Sequence, residues 1–193
     1  MNIENFCKLP ILGILRGITL AESAPILEAC QSAGLKTLEI TMNTPNAPEI
    51  IKYFSKHAGK DISVGAGTVI TEDGLNKAID AGAEFIVMPA FLGNIMKICK
   101  TKNIPVFPGA LTPTEVLQAW QSGAAMVKVF PAGVFGPKYF TELKGPLNDV
   151  KLMAVGGVNE KNIKDYFKAG ADAVAFGASV FKREWLDAGN FDA

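Results

Sequence analysis

Four segments of the chain repeat one pattern: a small residue, a glycine, three residues, then an apolar run. They are AGLKTLEIT from Ala33, AGAEFIVMP from Ala81, SGAAMVKVF from Ser122 and AGADAVAFG from Ala169. Each follows an amphipathic stretch such as ESAPILEACQS or EDGLNKAID. A glycine at that junction reads as a helix C-cap, where positive φ is needed and glycine adopts it without a Cβ clash. Gly34, Gly82, Gly123 and Gly170 stand 48, 41 and 47 residues apart, twice the length of a strand–helix unit. Four more apolar strand candidates lie between them: ILGILRG from Ile11, ISVGAGTV from Ile62, PVFPGA from Pro105 and KLMAVGG from Lys151. Short apolar strands alternating with helices predict a parallel sheet covered by those helices. Eight such units predict a closed (β/α)₈ TIM barrel. The 193 residues fall short of the roughly 250 typical of that fold, so residues 1–193 read as one compact barrel domain with minimal loops. An open doubly wound sheet is the alternative. The even repeat and the lack of an early G-x-G-x-x-G weigh against it.

The repeat also sets a register. Five residues past each repeat glycine stand Glu39, Val87, Lys128 and Ala175. Alternate strands of an eight-stranded barrel contribute one interior layer of four side chains. If these positions point inward, Glu39 and Lys128 share a layer on the second and sixth predicted strands. The next inward layer is then Thr41, Pro89, Phe130 and Gly177, two residues on. Arg16 and Thr68 end the first and third strands. The polar residues thus gather at the C-terminal strand ends, where barrel enzymes carry out their chemistry.

Within an apolar strand, desolvation lowers a lysine pKa, and a neighbouring arginine pushes the same way while an ionised glutamate opposes both. Lys128 therefore suits a nucleophilic amine that forms a Schiff base with a carbonyl. A structural Lys–Glu pair is the competing reading. Gly156-Gly157 end the seventh strand, and Gly177-Ala178-Ser179 end the eighth, just before a short predicted helix. Loops at those two places often bind phosphate in such barrels.

Composition narrows the alternatives. Lys+Arg and Asp+Glu are 19 each, so the basic excess of a nucleic-acid binder is missing. No apolar run approaches the roughly 20 residues of a membrane span, and the N-terminus does not read as a signal peptide. Cys7, Cys30 and Cys99 form no C-x-x-C pair and read as reduced thiols of a cytoplasmic protein. His57 is the only histidine, which speaks against a His-rich zinc site; it reads as solvent-facing or helix-capping. Trp120 and Trp185 read as core or interface residues. The lysine-rich stretches 52–60 and 97–102 read as solvated helix faces.

The segments ILRGIT, TLEITMNTP, VGAGTV, MPA, PGALTPTE, VKVFPAGVFGPKY and AVGGV occur in this order from about Leu9 to Ser179. Together they resemble the 2-keto-3-deoxy-6-phosphogluconate and 4-hydroxy-2-oxoglutarate aldolases, including the 2-keto-3-deoxy-6-phosphogalactonate branch. The resemblance implies a homotrimeric (β/α)₈ lyase with no metal and no cofactor, acting on a small phosphorylated 2-keto acid. It implies that Lys128 in KVFP is the Schiff-base lysine and that Glu39 is the general acid/base. Thr68 and Arg16 would bind the carboxylate, Pro89 and Phe130 would wall the pyruvate pocket, and Gly156, Gly157, Gly177, Ala178 and Ser179 would hold phosphate. The expected reaction releases pyruvate and glyceraldehyde 3-phosphate. The alternatives are cleavage of 4-hydroxy-2-oxoglutarate to pyruvate and glyoxylate, and a non-catalytic phosphate-binding barrel.

Three positions depart from the phosphogluconate pattern. Asn43 stands where some members carry arginine, leaving carboxylate recognition to Arg16. Val155 replaces a threonine before the Gly-Gly pair, as in the phosphogalactonate type, and offers no hydroxyl. Gly-Ala-Ser replaces Gly-Ser at the end of the eighth strand. The chain runs 14 positions past Ser179, so a shortened last helix is expected.

Overall fold

The computed structural model describes residues 1–190. It contains nine parallel strands: β1 Ile11–Leu15, β2 Thr37–Thr41, β3 Ser63–Gly67, β4 Ile86–Val87, β5 Val106–Phe107, β6 Gly109–Ala110, β7 Val127–Val129, β8 Leu152–Val155 and β9 Ala173–Phe176. Their order is β5-β4-β3-β2-β1-β9-β8-β7-β6. The ends of that order, β5 and β6, are the two halves of the fifth sequence-predicted strand, interrupted at Pro108. Proline has no N–H to contribute to a ladder. Its carbonyl still accepts from the Lys128 N–H at 2.9 Å, and the Val106 carbonyl accepts from the Ala125 N–H. The fifth strand therefore bonds to both neighbours and closes the ring, which excludes the open sheet.

The glycine repeat is a helix-ending device. At Gly34, φ is +74°; its N–H donates to the Gln31 carbonyl and the Leu35 N–H to the Cys30 carbonyl, both at 3.0 Å. That pair of bonds is the Schellman motif. The same pair recurs at Gly82, Gly123 and Gly170. A fifth copy uses Asn103, at φ +53°, since asparagine also tolerates the left-handed region. The glycine pattern does not reveal that copy. Helix starts are equally local. In PGALTPTE, the Thr112 hydroxyl accepts from the Glu115 N–H at 3.3 Å. The Glu115 carboxylate accepts from the Leu111 and Thr112 N–H groups at 2.8 Å each. This capping box opens the helix Pro113–Gln121.

The expected register is the observed one. Glu39 pairs with Ile14 and Gly65, Lys128 with Gly109 and Met153, and Ala175 with Leu12 and Val155. The outward residues Leu38, Ile40, Val127 and Val129 are fully buried in the shell between strands and helices. The barrel interior is a separate cluster of Leu12, Phe85, Val87, Phe107, Met126, Met153, Val155, Ala173 and Ala175. The N-terminal helix Ile3–Lys8, which the sequence pattern leaves unassigned, inserts Phe6 into this cluster. The Phe6 ring lies 5.8 Å from that of Phe107, which is 5.7 Å from Phe85. Burying such a side chain contributes roughly 1.5–3 kcal/mol. The interior is thus apolar towards the N-terminal end and polar only near the strand C-termini.

His57 ends the helix Ala47–His57, exposed, with Nδ1 2.7 Å from the Tyr53 carbonyl. Trp120 packs against the helix–strand core. Trp185 borders an apolar cleft outside the barrel, with the Lys182 amine 3.9 Å from its ring centroid. The helix after Ser179 is short, Arg183–Asp187. Among the described residues no helix is long and apolar enough to cross a membrane, and no cluster of three metal-ligating side chains forms. All three cysteines are free thiols.

Candidate active site

At the C-terminal mouth of the barrel lies a cavity of about 690 Å³. Arg16, Thr68, Pro89, Lys128, Phe130, Gly156, Gly157, Gly177, Ala178 and Ser179 all line it. Of the sequence-predicted site residues, only Glu39 is not in its wall.

Glu39 lies beneath, 1% exposed, on the same interior layer as Lys128. Gly67, two residues beyond its ladder partner Gly65 on β3, leaves the room it needs: a Cβ there would collide with the Glu39 carboxyl group. The Glu39 Oε2 atom is buried and finds no hydrogen-bond partner among the described residues. A buried, unpaired carboxyl oxygen costs stability, so such an atom marks a functional constraint. Burial pushes the Glu39 pKa up, against the pull of Lys128 and then of Arg16.

Lys128 is 5% exposed, and its amine lies 5.1 Å from the Phe130 ring centroid. Burial pushes its pKa down; Glu39 opposes this and Arg16 adds to it. Both shifts favour the uncharged forms, an amine and a carboxylic acid. The two groups influence each other electrostatically, but no ion pair joins them among the described residues. A structural Lys–Glu pair would hold its charges in contact, as a buried pair must to offset desolvation.

Arg16 follows β1 and is exposed in the mouth, with Nη2 3.5 Å from the Thr68 hydroxyl. Thr68 has φ +56°. A threonine in the left-handed region is strained by its branched Cβ, which marks this turn as built for placement rather than for stability.

On the opposite side, Gly156 and Gly157 have φ of +91° and +78°. Among the described residues, the N–H groups of Gly157, Val158, Ala178 and Ser179 donate to no protein acceptor. The Ser179 hydroxyl donates to the Val158 carbonyl at 2.8 Å and ties the two loops together. All four residues line the cavity, and free backbone donors of this kind can bind an anion. Val155 stands on the inner face just below them.

Two residues here escaped the sequence reading. Thr44 is 4% exposed, and its hydroxyl accepts from the Gly17 N–H at 2.9 Å. Arg183 lines the cavity, donates to the Gly17 carbonyl at 3.1 Å and pairs with Glu22 at 2.9 Å. The TMNTP spelling contains Thr44 but nothing that says which way its hydroxyl faces. Arg183 meets Gly17 across 166 positions of chain. The buried thiols offer no competing nucleophile: burial pushes Cys30 up to about 12 and Cys99 to about 11.

Comparison with known proteins gives one consistent picture. A sequence model described as KDPG and KHG aldolase matches residues 3–193. The chain is 34% identical over 174 residues to a probable 2-dehydro-3-deoxy-6-phosphogalactonate aldolase of Rhizobium meliloti, covering 90% of this chain and 82% of that one. A solved structure described as native KDPGal superposes with a TM-score of 0.88 at 31% identity, covering 96% and 92% of the two chains. A KDPG aldolase from Legionella pneumophila, with pyruvate captured as a covalent carbinolamine intermediate, gives a TM-score of 0.88 at 26% identity, covering 95% and 89%.

Proposed function

The chain belongs to the KDPG and KHG aldolase family, and from that membership we propose that it is a class I aldolase of 2-keto-3-deoxy-6-phospho sugar acids, with Lys128 as nucleophile and Glu39 as the proton-transfer group. The observation that supports the residue roles is the buried Lys128 amine sharing a layer with a Glu39 carboxyl that has one oxygen unpartnered.

The reaction suits the directions of their shifts, Lys128 towards the amine and Glu39 towards the acid. The neutral Lys128 amine attacks the carbon-2 ketone and forms a carbinolamine. Glu39 gives its proton to the departing hydroxyl, so water leaves and an iminium ion forms. The Glu39 carboxylate then takes the proton of the carbon-4 hydroxyl, directly or through a water. The bond between carbons 3 and 4 breaks, its electron pair moves into the iminium, and glyceraldehyde 3-phosphate departs. Protonation of the enamine at carbon 3 by Glu39 and addition of water release pyruvate and restore the amine. Such proton transfers contribute typically ~10²–10⁴-fold each.

Arg16 and Thr68 bind the substrate carboxylate, Arg16 by a two-pronged contact that places the ketone over Lys128. Pro89 and Phe130 wall the pyruvate portion. Phosphate is held by backbone N–H groups around Gly156, Gly157, Gly177, Ala178 and Ser179. These unpaired donors favour a phosphorylated substrate over 4-hydroxy-2-oxoglutarate. Val155 favours the phosphogalactonate configuration, because it presents a methyl surface where a hydroxyl would bond the sugar-acid chain. The test is the rate of pyruvate release from the two phosphorylated epimers and from 4-hydroxy-2-oxoglutarate. The highest kcat/KM is expected with 2-keto-3-deoxy-6-phosphogalactonate. Faster cleavage of the gluconate epimer would overturn the specificity reading, and cleavage of none would overturn the function.

The protein also reads as a homotrimer. Val134 and Phe135, on the short helix Ala132–Phe135 beside the mouth, are 72% and 51% exposed, and apolar surface of that kind suits an interface between subunits. Light scattering after gel filtration is expected to give three times the 20.5 kDa chain mass. A monomer mass would contradict it.

A further inference from the structure

The Gly17 residue is gripped at both ends. Its N–H donates to the Thr44 hydroxyl at 2.9 Å, and its carbonyl accepts from Arg183 at 3.1 Å. Thr44 is in turn held by Thr41, whose hydroxyl lies 3.0 Å away and which is fully buried two residues beyond Glu39. The turn carrying Thr44 closes on itself through the Thr44 N–H and the Thr41 carbonyl, 2.9 Å apart. The Thr44 hydroxyl is therefore a fixed acceptor rather than a free rotor.

The Gly17 N–H belongs to the peptide bond that joins Gly17 to Arg16. Holding that peptide anchors the main chain just after Arg16, as β1 anchors it just before, and so restrains the Cα from which the guanidinium reaches Thr68. We propose that Thr44 is a positioning residue: its hydroxyl orients the Arg16–Gly17 peptide and so aims Arg16 at the substrate carboxylate. The proposal rests on the aldolase reading above. Valine at 44 would keep the shape but leave the Gly17 N–H without its acceptor, and the Arg16 backbone would relax. Thr44 touches neither the amine nor the reacting carbons, so binding suffers rather than bond cleavage.

The experiment compares steady-state kinetics of the wild type with Thr44→Val, Thr44→Ala and Thr44→Ser, together with the pyruvate concentration needed for half-maximal borohydride inactivation. In Thr44→Val and Thr44→Ala, KM and the pyruvate requirement are expected to rise about tenfold, the scale of one lost hydrogen bond to a charged group's support, with kcat nearly unchanged. Thr44→Ser is expected to restore both. The Ala–Ser comparison decides the matter even where valine prevents folding. Unchanged KM in Thr44→Ala, or a serine variant no better than alanine, would overturn the proposal. A wild type that cleaves no phosphorylated keto acid would instead overturn the aldolase reading.

Discussion

Replacing Lys128 with methionine is expected to abolish turnover while leaving the barrel folded. Without the amine no carbinolamine forms, and the carbon-2 ketone is a far weaker electron sink than an iminium ion. Loss of a covalent nucleophile lowers kcat by roughly 10⁴–10⁶-fold. Methionine fits the site because Lys128 is 5% exposed and pairs across the ladder with Gly109 and Met153. It also removes the desolvation cost of an ammonium group. Glu39 then loses the Lys128 attraction that lowers its pKa, so its pKa rises further, towards the uncharged acid. Thermal melting is expected at or above the wild-type temperature. A Lys128→Met protein that melts normally and keeps more than about a hundredth of wild-type kcat would contradict the assignment, because general acid–base help alone reaches that scale.

Glu39→Gln separates the two roles. It keeps the shape beneath the cavity and removes the acid–base pair of the carboxyl group. Turnover is expected to fall about 10²–10⁴-fold, whereas pyruvate capture by Lys128, which calls on Glu39 only for the loss of water, persists in part. The pH dependence gives a second readout, with a definite sign. Glu39 raises the Lys128 pKa, while burial and Arg16 lower it. The Glu39 carboxylate, when ionised, is the only raising influence, so removing it lets the Lys128 pKa fall further. The neutral amine then persists to lower pH, and the acid limb of pyruvate capture shifts downward. An upward shift, or loss of capture in step with turnover, would show that Glu39 does not act as described.

The barrel was legible because its repeat is a chemical requirement. The four repeat helices each end on a glycine at positive φ, and the strand begins at a fixed offset, so counting five residues reaches the interior layer. That count puts Glu39 and Lys128 on one layer from the sequence alone. It failed to show the break at Pro108, which no periodicity reveals in a six-residue strand. It also passed over the Asn103 helix end, because asparagine supplies the same conformation with a different side chain. The N-terminal helix was missed because six residues with one inward Phe6 carry too little pattern.

The site was legible where it stands on strands and obscure where it stands on loops. Lys128 and Glu39 follow from the interior register, and Arg16 and Thr68 from strand ends. The hydroxyl of Thr44 reaches Gly17 from a turn and the guanidinium of Arg183 from the start of the last helix, and such directions depend on backbone angles that composition does not encode. The place of Gly67 is similar. The GAGT motif names it, but only the packed barrel shows that its missing side chain is the space occupied by the Glu39 carboxyl group.

The most direct test of the central claim is to incubate the wild-type protein with pyruvate, reduce with borohydride, and measure intact mass followed by peptide mapping. A single reduced pyruvyl adduct on Lys128 is the expected result. A folded protein that takes up no pyruvate, or takes it up on a surface lysine while Lys128 stays unmodified, would contradict the Schiff-base mechanism.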